Sequence, residues 1–234
     1  MVNCSRIITA LDFTDPDDAI AFATQLDPKL CRLKVGKALF TAGGPKLIES
    51  LHKLGYEIFL DLKFHDIPHQ VKLACQVAAQ LGIWMLNVHA QGGRSMLQAA
   101  REGIDAISSP KPFLIGVTLL TSLDASDLSE IGLSGTPLDN VLRLATLTQA
   151  CGLDGVVCSA KEAAVLREHS GSDFLLVTPG IRLPENSAMD QKRVVTPLEA
   201  LRSGSSYLVV GRPITEAPHP LVALQKFYEL TSDA

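Results

Sequence analysis

Short apolar runs alternate with longer helical stretches along all 234 residues of this chain, and no other feature limits its fold so much. Strands are expected at Ile7 to Leu11, Arg32 to Val35, Glu57 to Leu62, Met85 to Val88, Phe113 to Val117, Gly155 to Val157, Leu175 to Val177 and Tyr207 to Val210. Helical patterns lie between them, near Pro16 to Leu26, Pro45 to Leu54, His69 to Leu81, Ser95 to Gly103, Leu138 to Ala150, Ala160 to His169 and Pro197 to Arg202. A last one covers Pro220 to Leu230. Three of them carry a start signal, a capping-type residue before proline: Asp15-Pro16, Thr136-Pro137 and Thr196-Pro197. Eight such units predict an α/β fold, a (β/α)8 TIM barrel forming one domain over 1–234. A doubly wound open sheet is the alternative that counting units does not exclude.

The barrel reading requires polar groups to gather just after the strands, because that face carries the chemistry in this fold. Asp12 follows the first strand, Lys34 stands near the end of the second, and Asp61 and Lys63 close the third. His89 closes the fourth, Thr118 and Thr121 follow the fifth, and Pro179-Gly180-Ile181-Arg182 and Gly211-Arg212 follow the seventh and eighth. An open sheet would also collect them at one edge, so the pattern argues for a site more firmly than for closure.

The densest signal is Asp61-Leu62-Lys63-Phe64-His65-Asp66-Ile67-Pro68-His69-Gln70-Val71. Strand residues two apart share a face, so Asp61 and Lys63 are expected side by side at the end of a buried strand. Charges are costly there unless paired or used. The plainer reading is a structural ion pair. Glycine lets backbone N–H groups approach an anion, and arginine offers a fork of donors matched to phosphate oxygens. The Gly180/Arg182 and Gly211/Arg212 pairs therefore predict a phosphate cradle. The polar stretch Leu183 to Val194 is long enough to form a lid, with Gln191 placed to reach the phosphate or base.

These residues resemble the orotidine 5'-monophosphate decarboxylase family, whose DxKxxDIP signature matches Asp61 to Pro68. The likeness covers the chain through Ala10-Leu11-Asp12, Leu33-Lys34-Val35-Gly36, Val117-Thr118-Leu119-Leu120-Thr121-Ser122, Thr178 to Arg182 and Val210-Gly211-Arg212-Pro213. The resemblance implies loss of CO2 from orotidine 5'-monophosphate, giving uridine 5'-monophosphate, with no cofactor and no metal. It implies an alternating charged network of Lys34, Asp61, Lys63 and Asp66, with Lys63 as proton donor to C6 of the pyrimidine. It further implies Asp12 and Lys34 on the ribose hydroxyls and Thr121 facing the base. Arg182, Gln191 and Arg212 would hold the phosphate with backbone help from Gly211, and Ile67 joins the substrate-binding set. In that family Asp66 reaches into the neighbouring subunit's site, which implies a homodimer. On the residues alone, Asp66 reads equally as a charge at a helix start. Two rivals stand beside the resemblance. One is a magnesium-dependent sugar-phosphate lyase similar to hexulose-6-phosphate synthase; the other is a regulator that binds the nucleotide without turning it over.

Composition narrows the partners. A net charge of -4 argues against a general nucleic-acid binder, while leaving room for a local basic pocket. Five cysteines, Cys4, Cys31, Cys75, Cys151 and Cys158, show no CxxC spacing, and reduced thiols in a cytoplasmic protein are expected. Met1 to Arg6 lacks a signal-peptide layout. The uncharged stretch Leu73 to Gly93 contains Gln76, Gln80, Gly82, Asn87 and Gln91, and reads as a helix end, a turn and a buried strand rather than a membrane span. His65 and His69 stand i, i+4, but Pro68 intervenes and no third metal ligand is evident. His89 is first a packed core histidine and second a supporting group near the site. Cys158 is expected as a packed small residue.

Overall fold

A computed structural model describes residues 5–108, 110–183 and 195–232. Its strands are β1 (Ile7–Leu11), β2 (Arg32–Gly36), β3 (Ile58–Phe64), β4 (Met85–His89), β5 (Phe113–Val117), β6 (Gly155–Val157), β7 (Leu175–Pro179) and β8 (Tyr207–Val210). Each pairs in parallel with the next, and β8 pairs with β1 through Ile7↔Leu208 and Thr9↔Val210. That last pairing closes the barrel and removes the open-sheet alternative. The helices are α1 (Pro16–Ala23), α2 (Lys37–Lys53), α3 (Pro68–Gln80), α4 (Gly93–Asp105), α5 (Ala125–Glu130), α6 (Pro137–Ala150), α7 (Ala163–Ser170), α8 (Pro197–Arg202), α9 (Arg212–Thr215) and α10 (Pro220–Ser232).

The expected caps form. Asp15 accepts from the Asp17 N–H, and Thr136 and Thr196 build reciprocal capping boxes with Asp139 and Glu199. The differences have local causes. α2 begins at Lys37 rather than Pro45, because two helical pieces join across Gly44 (φ 55°, ψ -153°), and only the second was legible behind Gly43-Gly44-Pro45. α5 is a short extra helix started by a capping box between Asp124 and Asp127. α7 begins at Ala163 rather than Ala160, and β3 runs on to Phe64 rather than ending at Leu62. The Leu73–Gly93 stretch divides as expected: α3 ends at Gln80, Gly82 turns with φ 74°, and β4 follows. Among the described residues no helix is long and apolar enough to cross a membrane.

Strand alternation sorts the core into two layers. Ile7, Leu11, Leu33, Val35, Ile58, Leu60, Leu86 and Val88 point outward and pack under the helices. Ile8, Ala10, Phe59, Met85, Ile115, Val177 and Val209 point inward and fill the barrel. The same inward parity carries Lys34, Asp61 and Asn87 towards the carboxyl ends of β2, β3 and β4, above this apolar plug.

On the outer layer α3 and α4 approach closely at Gly103, where a Cβ would fall 2.4 Å from the Lys72 carbonyl oxygen. Gly103→Ala gains about 1 kcal/mol of helix propensity. The clash is with main chain, so the helix pair must separate. The variant should lose about 1–3 kcal/mol net, read as a lower urea midpoint at unchanged m; an equal or higher midpoint would refute the tight approach.

Candidate active site

The centre of the site is the end of β3. Leu60 pairs with Leu86 and Phe64 with Val88, so Asp61, Leu62 and Lys63 together stand opposite Asn87 alone. The strand bulges to fit them, and Lys63 takes φ +50°, the one positive φ at a non-glycine residue among those described. Asp61 and Lys63 do meet, Nζ to Oδ1 at 2.5 Å, but through this bulge and not through the regular alternation expected of a flat strand. Asn87 closes the gap. Its Oδ1 accepts the Lys63 backbone N–H at 2.8 Å, and its Nδ2 donates to Asp61 Oδ1 at 2.7 Å.

The other Asp61 oxygen faces Lys34 Nζ at 3.3 Å, and Lys34 lies 3.4 Å from Asp12 Oδ1. The chain of charges therefore runs Asp12–Lys34–Asp61–Lys63 from β1 across to β3. Side-chain exposure is 11% for Asp61 and 12% for Lys34, so the central pair is removed from most water, whereas Lys63 keeps 26% and Asp12 66%. Burial raises the cost of ionising Asp61, yet the Lys34 and Lys63 ammonium groups and the Asn87 amide outweigh it, and its carboxyl sits below the ordinary value.

Asp66 is exposed and does not join that chain of charges; its Oδ1 accepts from the Ile67 N–H at 2.6 Å. Ile67, 63% exposed, is the N-cap residue of α3 with no side-chain cap bond, so Asp66 lies one residue ahead of the cap. Thr118 is buried and donates to the Val157 carbonyl, whereas Thr121 is exposed on the loop beyond β5. Arg182 is buried beside an isolated parallel bridge, Ile181↔Val195, and its N–H donates to the Val195 carbonyl at 3.2 Å. That bridge joins residues that flank the stretch expected as a lid. Gln191 and all of the expected 183–194 lid beyond Leu183 lie outside the described residues. Gly211 caps the short helix α9, whose first residue is the exposed Arg212, and a Cβ at Gly211 would come 3.5 Å from Asp12 Oδ2. The β8 loop thus adjoins the Asp12 end of the charge chain.

The sequence model of the Orotidine 5'-phosphate decarboxylase / HUMPS family matches residues 5–227. The chain belongs to this family. It is 60% identical over 221 residues to an orotidine 5'-phosphate decarboxylase of Chromobacterium violaceum, covering 94% of this chain and 89% of that one. It is 60% identical over 226 residues to the enzyme of that name from Nitrosomonas eutropha, covering 97% and 96%. A crystal structure of orotidine 5'-phosphate decarboxylase from Lactobacillus acidophilus superimposes with a TM-score of 0.87 at 38% identity, covering 97% and 98%.

Within this member of the decarboxylase family, Asn87 is the site residue that sequence reasoning passed over. Its signal was present: one amide inside an otherwise apolar strand, on the face that ends in His89. His65 and His69 are both exposed and His65 precedes α3, so they do not form a pair on one helix. No group of three His, Cys, Asp or Glu side chains placed to hold a metal occurs among the described residues. Cys158 is fully buried in an apolar cluster, and burial pushes its thiol upward, as befits packing.

The half-buried His89 ring lies 5.4 Å from that of His65, tilted 40° to it. Burial first, then the charges of His65, Lys37 and Lys63, push its imidazole down from 6.5 to about 4. The folded chain therefore binds fewer protons than the unfolded chain between those values, and stability falls as pH drops through that window. His89→Gln should flatten this part of the stability-against-pH curve, followed by denaturant unfolding; an unchanged slope would contradict the neutral imidazole.

Proposed function

We propose that this chain, as one decarboxylase domain, converts orotidine 5'-monophosphate to uridine 5'-monophosphate and CO2 without a cofactor, completing de novo UMP synthesis. The observation that carries the reading is the Lys63 ammonium resting on Asp61 at the open end of the barrel, in a chain of this family. When the C6 carboxylate departs as CO2, its bonding electron pair remains on C6. The Lys63 ammonium stabilises that charge and then delivers its proton there, and the lysine is reprotonated from solvent. Asp61 lies against the substrate carboxylate as a like charge, a stress that ends with CO2 release. The larger contribution comes from stabilising the carbanion-like transition state.

Asp12 and Lys34 bind the ribose hydroxyls, and Thr121 faces the base. Arg182, Gln191, Arg212 and the Gly211 backbone hold the phosphate. Binding energy gathered at the phosphate closes the 183–194 lid and aligns the distant ring. Asp66 and Ile67 serve the site of a second subunit. Their outward placement, and the exposed apolar side chains Ile67, Leu73 and Val77 on and beside α3, support a homodimer with shared sites. The buried thiols of Cys31, Cys75, Cys151 and Cys158 suit a reducing cytoplasm.

The direct test is loss of absorbance near the orotate band when the purified protein meets orotidine 5'-monophosphate. Lys63→Ala should reduce turnover by about 10³-fold or more while uridine 5'-monophosphate binding stays measurable, because the lysine acts mainly in the transition state. Near-normal kcat in that variant would remove Lys63 from its role. Shared sites make a second forecast. Mixing Asp66→Asn subunits with Lys63→Ala subunits should recover part of the activity, since one intact site forms per hybrid. Absence of recovery despite demonstrated subunit exchange counts against sharing.

A further inference from the structure

We propose that Asn87 is a positioning residue for the reaction: it clamps the left-handed turn at Lys63 and orients the carboxylate on which the lysine ammonium rests. The inference deepens the decarboxylase reading and rests on it.

The argument starts from an unusual backbone. A lysine at φ +50° adopts a conformation that L side chains rarely hold unless their surroundings impose it. Here three residues of β3 face one residue of β4. The bulge carries the Lys63 N–H out of the ordinary ladder, and a buried N–H needs an acceptor. Asn87 Oδ1 supplies it at 2.8 Å.

The second arm of the same amide reaches Asp61 Oδ1, 2.7 Å away, the oxygen that also receives Lys63 Nζ. One planar group thus fixes both ends of the catalytic pair, the backbone of the lysine and the carboxylate of its partner. The orientation of the amide is forced by chemistry, since an N–H requires oxygen opposite it and a carboxylate requires a donor. Asn87 is 1% exposed, so water does not easily replace either contact. Aspartate would retain the acceptor and lose the donor; leucine would lose both.

A side chain that only fills space would affect stability alone. A positioning residue should affect the chemical step at constant substrate affinity, because the phosphate and ribose contacts lie elsewhere. For Asn87→Leu we expect kcat per folded site to fall by about 100-fold with KM changed less than about threefold. Unchanged kcat in folded protein overturns the role. Asn87→Asp keeps the shape and carries the test if the leucine variant does not fold. It sets a new carboxyl against Asp61, within a surround of Lys63, Lys34, Asp12, His89 and His65; β5, the other neighbour of β4, offers no titratable side chain. A proton shared between the two carboxyls restores the lost donor, so the deficit in kcat relative to the unmodified chain should shrink as pH falls from about 8 to about 6. A ratio independent of pH overturns the proposal.

The unmodified chain is assayed alongside. If it does not turn over orotidine 5'-monophosphate, the decarboxylase reading fails and the positioning role with it. If it does, and both variants keep its kcat and pH profile, only the role of Asn87 fails.

Discussion

The Asp61 carboxylate is the fixed point of the charge network at the mouth of this barrel. One of its oxygens receives hydrogen bonds from Lys63 and Asn87, and the other forms an ion pair with Lys34. A carboxylate so buried would ordinarily tend to neutralise. The surrounding ammonium and amide groups hold it ionised instead. In turn it holds two lysines in fixed places, one near the Asp12 end of the site and one at the bulge. Removing any member of the set leaves another charge partly desolvated and short of a partner, so the network stands as a unit.

That unit depends on where the barrel puts it. Phe59, Met85 and Ile115 fill the interior beneath, so the charged side chains meet a dry floor and an open top. In such surroundings electrostatic interactions count for more than they do in water, and the groups need not reorganise when charge develops on a ligand. The cost is local. The β3 bulge gives up regular pairing, and Lys63 gives up a relaxed backbone. The closed eightfold ladder on either side keeps that irregular segment in place.

Much of this could be read from residues in order. Strand–helix alternation gave every strand, because strands buried on both faces of a parallel barrel are short apolar runs with few disguises. Caps at Asp15, Thr136 and Thr196 were legible because capping chemistry is local. The first half of α2 was hidden because Gly43-Gly44-Pro45 looks like a stop when it is a kink. The pairing of Asp61 with Lys63 was foreseen for a reason that is only half right. A period-two argument assumes one residue opposite one residue, and a bulge depends on the partner strand. Asn87 was missed for the same cause: its importance lies in what β3 does 24 residues earlier in the chain, at Lys63.

The opposite end of the barrel holds a second buried cation whose surroundings differ from those of Lys63. Arg32, on the same inward face of β2 as Lys34, is 3% exposed. Its Nε meets Glu57 at 2.8 Å, its Nη1 donates to the Ser5 carbonyl, and its guanidinium lies 4.1 Å from the centre of the Trp84 ring and 5.3 Å from that of Tyr207. Carboxylate, carbonyl and two aromatic faces enclose that cation, which acts as a plug. The Lys63 ammonium has Asp61 as its one side-chain partner among the described residues, and a quarter of the side chain is exposed. An ammonium has three donors, and one is committed. Both cations are bound to carboxylates, so ion pairing alone does not tell them apart. What separates them is the donor capacity left over and the exposure of the side chain that carries it.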